Sequence, residues 1–233
     1  MELTDAGTEL LSIAEKLALI AVDFSVKADS FEEKLVGVVK LSVSPGFAVF
    51  LLPNILSKLR AKAPSLQIVV HSSMDPANML MGEADISLRS VEPGQASLRR
   101  EQLPDLDYGV YASLEYLERY GEPATPKDLE QHQLIGQIQM LTFKDQIERT
   151  GFSFEHAFFA LRTDDVGAAW NLILAGCGIG VSMCKNGDLE DRVRRIFPEL
   201  PALKLPLWIS SQKETQLNFS TQFVYDFIKS ELS

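Results

Sequence analysis

Three short polar segments of the sequence stand where a predicted buried strand gives way to a helix or turn. They are Ser44-Pro45-Gly46, which Phe47 follows, then Ser72-Ser73, and then Thr163-Asp164-Asp165. Ligands of open α/β sheets bind outside the carboxyl ends of the strands, where the first N–H groups of a helix can bind an anion or a carbonyl oxygen. Helix capping is the favoured interpretation of any one segment on its own. Taken together, the three segments favour a small-molecule site.

The sequence carries no signature of a catalytic or cofactor site. Gly176, Gly178 and Gly180 have the spacing of a phosphate-binding loop, but they end a predicted helix and begin a strand. In a dinucleotide fold the glycines follow a strand and begin a helix. No GxSxG, HExxH or P-loop motif occurs, and the three histidines stand singly. We therefore predict no catalytic residue, no cofactor and no metal ion.

Cys177 and Cys184 are the only cysteines of the chain. A redox-sensing pair is one hypothesis, but an intervening strand would separate them by about 20 Å. Two small buried side chains are the favoured interpretation. Two cysteines also form neither a disulfide framework nor a four-ligand zinc pattern, which is typical of a reducing compartment.

Length and charge restrict the class of protein further. The chain has 233 residues, 46% of them hydrophobic, which is enough for one large or two modest folded domains. A net charge of −10 repels a phosphate backbone, so we expect these residues not to bind DNA themselves.

Near the start, Glu2 and Asp5 replace a basic segment, and charges interrupt the apolar stretch that follows. We therefore predict no signal peptide and no membrane span, and a cytoplasmic location.

The first part of the chain, up to about residue 27, has the periodicity of one amphipathic helix. It could dock on the following domain or pair with a second copy of itself, and its near-heptad spacing over about six turns favours dimerisation. The apolar positions of this stripe are Leu10, Ile13, Ala14, Leu17, Ile20, Ala21 and Phe24.

Alternating strands and helices follow, the pattern of a doubly wound α/β sheet. In the first unit we predict strands at 35–43, 66–70 and 85–88, one helix over 47–63 with Pro53 at an early turn or a tolerated kink, and a short helix over 75–81. An extended stretch over 98–112, interrupted at Pro104-Asp105, leads to the second unit. There we predict helices at 114–120, 126–132 and 165–174, strands at 134–137 and 179–183, and irregular structure over 140–159. A strand at 205–210 and a helix at 219–232 complete the chain.

This pattern predicts two lobes, residues 33–105 with 211–233 and residues 106–210. We expect their strand ends to face each other across a cleft, because hinged two-lobed proteins bind small molecules in this way.

Four short motifs resemble those of the LysR-type transcriptional regulators, and the resemblance extends over essentially the whole chain. Each motif is weak alone, but their order and spacing agree with the two-lobe prediction. They are Leu3-Thr4-Asp5-Ala6-Gly7, similar to the LTxxG segment of the family, Leu51-Leu52-Pro53, the segment Gly82-Glu83-Ala84-Asp85-Ile86-Ser87-Leu88, and Ala175-Gly176-Cys177-Gly178-Ile179-Gly180.

The resemblance implies a dimerising linker helix over residues 1–32 and an effector-binding domain like the periplasmic binding proteins. It implies a homodimer or homotetramer that binds promoter DNA through a winged helix-turn-helix, which precedes LTxxG in the family and is absent from these residues. It also implies a small-molecule effector between the lobes. By position, the effector would contact Ser44, Pro45, Gly46, Phe47, Ser72, Ser73, Asp164 and Asp165, with Arg89 and Gln137 as further candidates.

One pair of residues departs from the family pattern. Many relatives have neutral hydroxyl or amide residues where this chain has Asp164 and Asp165. Two carboxylates there disfavour an anionic effector unless Arg89 or Lys40 compensates their charge.

A free-standing solute-binding protein of the same shape is the alternative hypothesis for the function, and an enzyme is the third. The solute-binding protein would need export and no N-terminal amphipathic helix, so the regulator is favoured.

Overall fold

A computed structural model describes Thr4, Leu10, Ala14, Ile20 and residues 35–233, except 76, 78, 80–81, 138–142, 154–158 and 214–217. The described residues form two compact units. Unit 1 contains the chain up to Pro104 together with Leu207–Ser233, and unit 2 contains Asp105–Pro206. No helix in the described part of the chain is both long and apolar enough to cross a bilayer.

The strands and helices follow each other in the order of an α/β protein. They are β1 (Gly37–Val43), α1 (Pro45–Phe50), α2 (Leu52–Lys62), β2 (Leu66–Ser72), β3 (Ile86–Arg89), β4 (Arg99–Ser113), α3 (Leu114–Tyr120), a 3-10 helix (Pro126–Gln131), β5 (Leu134–Gln137), α4 (Lys144–Glu148), β6 (Phe159–Thr163), α5 (Val166–Leu174), β7 (Gly180–Met183), α6 (Cys184–Gly187), β8 (Val193–Ile196), β9 (Leu203–Ser211) and α7 (Phe219–Leu232).

The sheet of unit 1 has the strand order β2-β1-β3-β9. β1 runs parallel to both β2 and β3, and β9 runs antiparallel to β3. β1 supplies Val39, Leu41 and Val43 to the core, and all three are fully buried. α7 packs against α2 and β1 and buries Val224 and Ile228 completely. Residues close in sequence and residues from the end of the chain therefore share this core.

The single helix predicted over 47–63 is divided in the structure. α1 ends at Phe50 and α2 begins at Leu52, with Pro53 in its first turn. Proline has no N–H to donate to the carbonyl four residues earlier, and its ring crowds that carbonyl. A continuous helix through Pro53 is therefore disfavoured. The prediction of one unbroken helix was wrong, whereas the position of Pro53 in an early helical turn is confirmed.

Unit 2 is built around β4, β5 and α5. β4 pairs antiparallel with β7 and with β8, while β5 pairs parallel with β6 in a separate two-stranded sheet. The core contains Tyr111 of β4, Ile135 of β5, and Ala169 and Ile173 of α5. α5 thus packs its apolar face on the strands that the chain forms before and after it.

Several short elements of unit 2 differ from the sequence predictions. β4 continues through Pro104-Asp105 without the expected interruption, because a strand tolerates proline where its ladder does not need that N–H. α4 and the start of β6 lie inside the stretch predicted to be irregular. β8 was missed, since two arginines separate its two buried apolar residues and leave little hydrophobic pattern.

The predicted N-terminal helix lies almost entirely outside the described residues. Leu10, Ala14 and Ile20 are described, and each is helical and exposed. The other four residues of the predicted stripe are outside. The linker helix and its role in dimerisation stay predictions.

Candidate functional site

The carboxyl ends of β1, β2 and β3 come together in unit 1. Val43, the last residue of β1, is paired with Ser72 on one side and Leu88 on the other. The pairing extends one residue further, since the Ser44 N–H donates to the Leu88 carbonyl at 3.1 Å and the Ser73 N–H donates to the Val43 carbonyl at 3.1 Å. The structure therefore places the two predicted serine segments at one edge of the sheet.

Ser44 begins α1 but does not cap it with its side chain. Its backbone carbonyl accepts hydrogen bonds from the Phe47 N–H at 2.9 Å and the Ala48 N–H at 3.0 Å, whereas its hydroxyl makes no capping bond. Pro45 occupies the first helical position, where its missing N–H has no intrahelical role. Gly46 and Phe47 are buried in the helix. The Ser44 hydroxyl is thus the group of this turn that capping leaves available.

Arg89, the last residue of β3, connects the three strand ends. It is 7% exposed, and its guanidinium donates to the Ser42 hydroxyl at 2.5 Å, to the Asp75 carbonyl at 2.8 Å and to the Ser73 carbonyl. Its Nε has no hydrogen-bond partner among the described residues. Burial lowers the pKa of Arg89, and the nearby Asp75 charge acts in the opposite direction. Arg89 therefore holds the turn after β2 against the end of β1.

A row of three buried serines crosses the sheet of unit 1 beside Arg89. Ser42 of β1 is paired with Ser87 of β3, and Ser87 is paired with Ser210 of β9. Directly paired residues point to the same face of a sheet. The three serines are 2%, 7% and 1% exposed. We did not predict this row, because a single serine in each apolar strand gives a signal only when the strand register is known.

A cavity of about 400 Å³ lies on this face of unit 1. Its polar wall includes Ser87, Arg89 and Ser210. Its apolar wall includes Met74, Met79 and Leu98. Since Ser44, Ser72 and Ser73 do not line it, the cavity is separate from the predicted serine segments.

In unit 2 the structure brings Gln137 to Thr163-Asp164-Asp165. β5 and β6 are parallel, and their last residues, Gln137 and Thr163, are directly paired. Asp165 caps α5, since its Oδ1 accepts from the Ala168 N–H at 2.7 Å, and its own N–H donates to Thr163 Oγ1 at 3.1 Å. Asp164 is exposed. The capping role of Asp165 is therefore present, and Asp164 is the carboxylate that capping leaves available.

The three glycines after α5 lie between a helix end and a strand, as their order in the sequence predicts. Gly176 has φ +73°, its N–H donates to the Ile173 carbonyl at 3.0 Å, and the Cys177 N–H donates to the Leu172 carbonyl at 3.0 Å. These two bonds and the positive φ define a Schellman motif. The glycine spacing thus serves to end a helix and begin β7.

The cysteines do not form a disulfide. Cys177 is half-buried and Cys184 is buried, and both are free. Burial raises the pKa of the Cys184 thiol, which lowers the fraction of reactive thiolate. Within the described ranges, no three His, Cys, Asp or Glu side chains form a group that could hold a metal ion.

Comparisons with known proteins point to one family. Residues 32–233 match the sequence profile of the family described as "LysR substrate binding domain". An HTH-type transcriptional regulator of Xanthomonas campestris pv. campestris is 26% identical over 133 residues, which is 57% of this chain and 39% of that protein. The HTH-type transcriptional regulator CrgA of Neisseria meningitidis serogroup C is 26% identical over 136 residues, 58% of this chain and 46% of CrgA. The chain thus spans less than half the length of these two relatives.

Solved structures show the same fold at low sequence identity. The regulatory domain of CrgA from Neisseria meningitidis has a TM-score of 0.72 at 22% identity, covering 85% of this chain and all of that one. Full-length AphB of Vibrio cholerae has a TM-score of 0.69 at 15% identity, covering 97% of this chain and 79% of that one. The predicted α/β fold, similar to the periplasmic binding proteins, is confirmed as the fold of LysR regulatory domains.

Proposed function

The chain belongs to the LysR substrate-binding domain family, and from this we propose that it senses a small molecule for a LysR-type transcriptional regulator. One observation carries the proposal: the ends of three parallel strands meet in unit 1, where Ser44 has a hydroxyl that capping does not use. Strand ends of this kind are the usual place for a ligand in an open α/β sheet.

The effector would bind to both units through the residues that the sequence predicts. In unit 1, the Ser44 hydroxyl and the adjacent Ser72 and Ser73 would exchange hydrogen bonds with a polar group of the ligand. Arg89 supports this proposal, because it donates to the Ser73 carbonyl and the Ser42 hydroxyl and so holds the turn after β2. In unit 2, Gln137 and Asp164 are the corresponding polar residues at the ends of β5 and β6. Contact of one molecule with both units stays a prediction.

The charge of unit 2 restricts the chemistry of this effector. Asp164 and Asp165 are exposed carboxylates on the residues that follow β6. They repel an anionic group and attract a cationic or hydrogen-bond-donating one. We infer that the effector presents a donor group to the end of β6.

Regulation would follow from the coupling between effector binding and the arrangement of the subunits. A ligand that prefers one arrangement by about 1 to 3 kcal/mol changes its population roughly 5- to 150-fold. We propose a homodimer or homotetramer in which a winged helix-turn-helix domain, N-terminal to this region in the family, contacts promoter DNA. Spacing between two such domains controls affinity, because DNA half-sites repeat with the helical turn. The relatives from Xanthomonas campestris and Neisseria meningitidis are transcriptional regulators, and we propose no catalytic step for this chain.

A thermal-shift screen of metabolites tests this function. We expect a ligand that stabilises the native protein, with binding weakened about tenfold or more by Ser44→Ala or Asp164→Ala, the effect of losing a hydrogen bond to a charged or closely held group. Ser57→Ala and Asp191→Ala, which change exposed residues elsewhere, are the matched controls and should bind as the native protein does. Affinity unchanged in both site variants would place the ligand elsewhere and contradict the proposed site.

A further inference from the structure

We propose that the cavity of about 400 Å³ in unit 1 is a second ligand site, which takes a small carboxylate with an apolar body. This inference goes beyond the proposed function, because Arg89 is the only lining residue that also belongs to the proposed effector site. The volume is in the range of pockets that bind small molecules, roughly 300 to 1,000 Å³.

The polar wall of the cavity favours an anion. Arg89 is 93% buried, and its three hydrogen-bond acceptors, the Ser42 hydroxyl and the carbonyls of Ser73 and Asp75, are all uncharged. Arg89 forms no ion pair with the residues that the structure describes, and the carboxylate whose charge acts on it from nearby, that of Asp75, belongs to an exposed side chain. A buried charge without an ionic partner keeps most of its desolvation cost. A carboxylate in the cavity would reduce that cost.

Several groups could donate hydrogen bonds to this carboxylate. Arg89 Nε has no partner within the described residues, and Ser87 and Ser210 add two hydroxyls on the same face of the sheet. Gln95 Oε1 is likewise buried without a partner in the described part of the chain. A half-turn of that amide would present its NH₂ instead of its oxygen. The wall thus contains one buried donor, Arg89 Nε, for which the described residues offer no acceptor.

The remaining charged group of the wall does not oppose an anion. Glu92 lines the cavity, but its carboxylate lies 3.3 Å from the Arg100 guanidinium, which balances its charge. The proposed ligand therefore meets one buried positive charge that forms no ion pair within the described residues, and one exposed ion pair.

The rest of the wall determines the body of the ligand. Met79 and Leu98 are buried and form a small hydrophobic cluster with Ala84, and Met74 and Val91 complete the apolar side. Methionine side chains are unbranched and adapt to ligands of different shape. We infer a compact hydrocarbon or aromatic body next to the carboxylate.

Sodium benzoate and benzamide, which have the same shape and differ in charge, are the probes of this site. We expect benzoate to bind the chain and to shift the NMR signal of the ¹³C-labelled Met79 methyl group. Benzamide should bind about tenfold more weakly or worse, since it cannot form an ionic contact with Arg89. Equal affinity of the two probes, or no shift of the Met79 methyl group at saturating benzoate, would overturn the proposal.

A pair of serine variants locates the probe. Ser87→Ala with Ser210→Ala should weaken benzoate binding about fivefold or more, because it removes two hydroxyl donors. Ser182→Ala, a buried serine of unit 2, is the matched control and should leave the affinity unchanged. Leu98→Phe, which fills the cavity, is the second variant and should also reduce binding. Benzoate affinity retained in both the double variant and Leu98→Phe would refute the site.

The two proposed sites fail independently. Ser44→Ala should leave benzoate binding unchanged, because Ser44 does not line the cavity. A loss of benzoate binding in Ser44→Ala would assign the probe to the effector site and overturn the second site. The proposed function would stand in that case.

Discussion

Replacing Gly178 by alanine should destabilise unit 2 by about 3 kcal/mol, through the combined effects of overpacking and lost hydrogen bonds. Gly178 lies between the Schellman motif at the end of α5 and the first residue of β7. A Cβ atom added there would be 2.4 Å from the Gln133 carbonyl oxygen and 3.1 Å from its carbon. Both atoms belong to the backbone, so no side-chain rotation can relieve the contact.

The expected loss of stability can be estimated from the hydrogen bonds that the added Cβ atom would disturb. The Gln133 carbonyl accepts from the Ile179 N–H at 2.8 Å, and the Ile179 carbonyl accepts from the Ile135 N–H at 2.8 Å. A shift of several tenths of an ångström would weaken both bonds, each worth about 0.5 to 1.5 kcal/mol. Overpacking that does not relax adds about 1 to 3 kcal/mol. The two contributions together give the expected loss.

Urea unfolding followed by circular dichroism measures this loss. Gly94→Ala is the matched control, because its added Cβ would meet nothing within 4 Å and its φ is not in the left-handed region. We expect the control to change the free energy of unfolding by no more than about 0.5 kcal/mol. If Gly178→Ala also falls within that range, the backbone contact does not constrain residue 178 and the reasoning is refuted.

Two further predictions concern acidic residues. Asp165→Ala should lower the free energy of unfolding by about 1 kcal/mol, because it removes the cap on the Ala168 N–H, whereas Asp165→Asn should retain most of it; equal losses in thermal unfolding would show that the cap is not the cause. Burial raises the pKa of Asp85 above its ordinary 3.8, although its hydrogen bond from the Lys40 N–H acts in the opposite direction. The stability that Asp85 contributes is therefore fully present below its unfolded pKa and is lost as pH rises through the folded pKa. Asp85→Asn should reduce the change of melting temperature with pH between the unfolded and the folded pKa of Asp85. An unchanged slope of melting temperature against pH would exclude Asp85 as the source of this dependence.

The longer elements could be predicted from the sequence because their burial requires apolar residues at regular positions. β1 is a nearly continuous apolar run, and α5 begins at a capping aspartate and ends at glycine. Short elements with mixed polarity were missed, as with β8 and α4, because tertiary pairing stabilises them more than local pattern does. A proline divided one predicted helix but did not interrupt one predicted strand, and only the hydrogen-bond partners distinguish the two cases.

The candidate site was predictable only in part, for a similar reason. Ser44, Ser73 and Asp165 follow strands in sequence, so their positions at strand ends could be inferred from the order of elements. The contact between Arg89 and Ser42 depends on which strands are neighbours and in what register. Likewise, Ser87 and Ser210 are 123 positions apart along the chain, and only the antiparallel pairing of β3 with β9 brings them together.

Unit 1 is assembled from two stretches of chain that the ribosome produces at different times. β9 completes the sheet beside β3, and Ser220 of α7 both accepts from the Val36 N–H at 3.2 Å and donates to the Val36 carbonyl at 2.8 Å. Neither β9 nor α7 is complete until all of unit 2 has been synthesised. Meanwhile β3 presents an unpaired apolar edge, a surface on which nascent chains aggregate or recruit chaperones. Slow translation of residues 105–206 would lengthen this exposure, so codon usage within unit 2 should influence the soluble yield of unit 1.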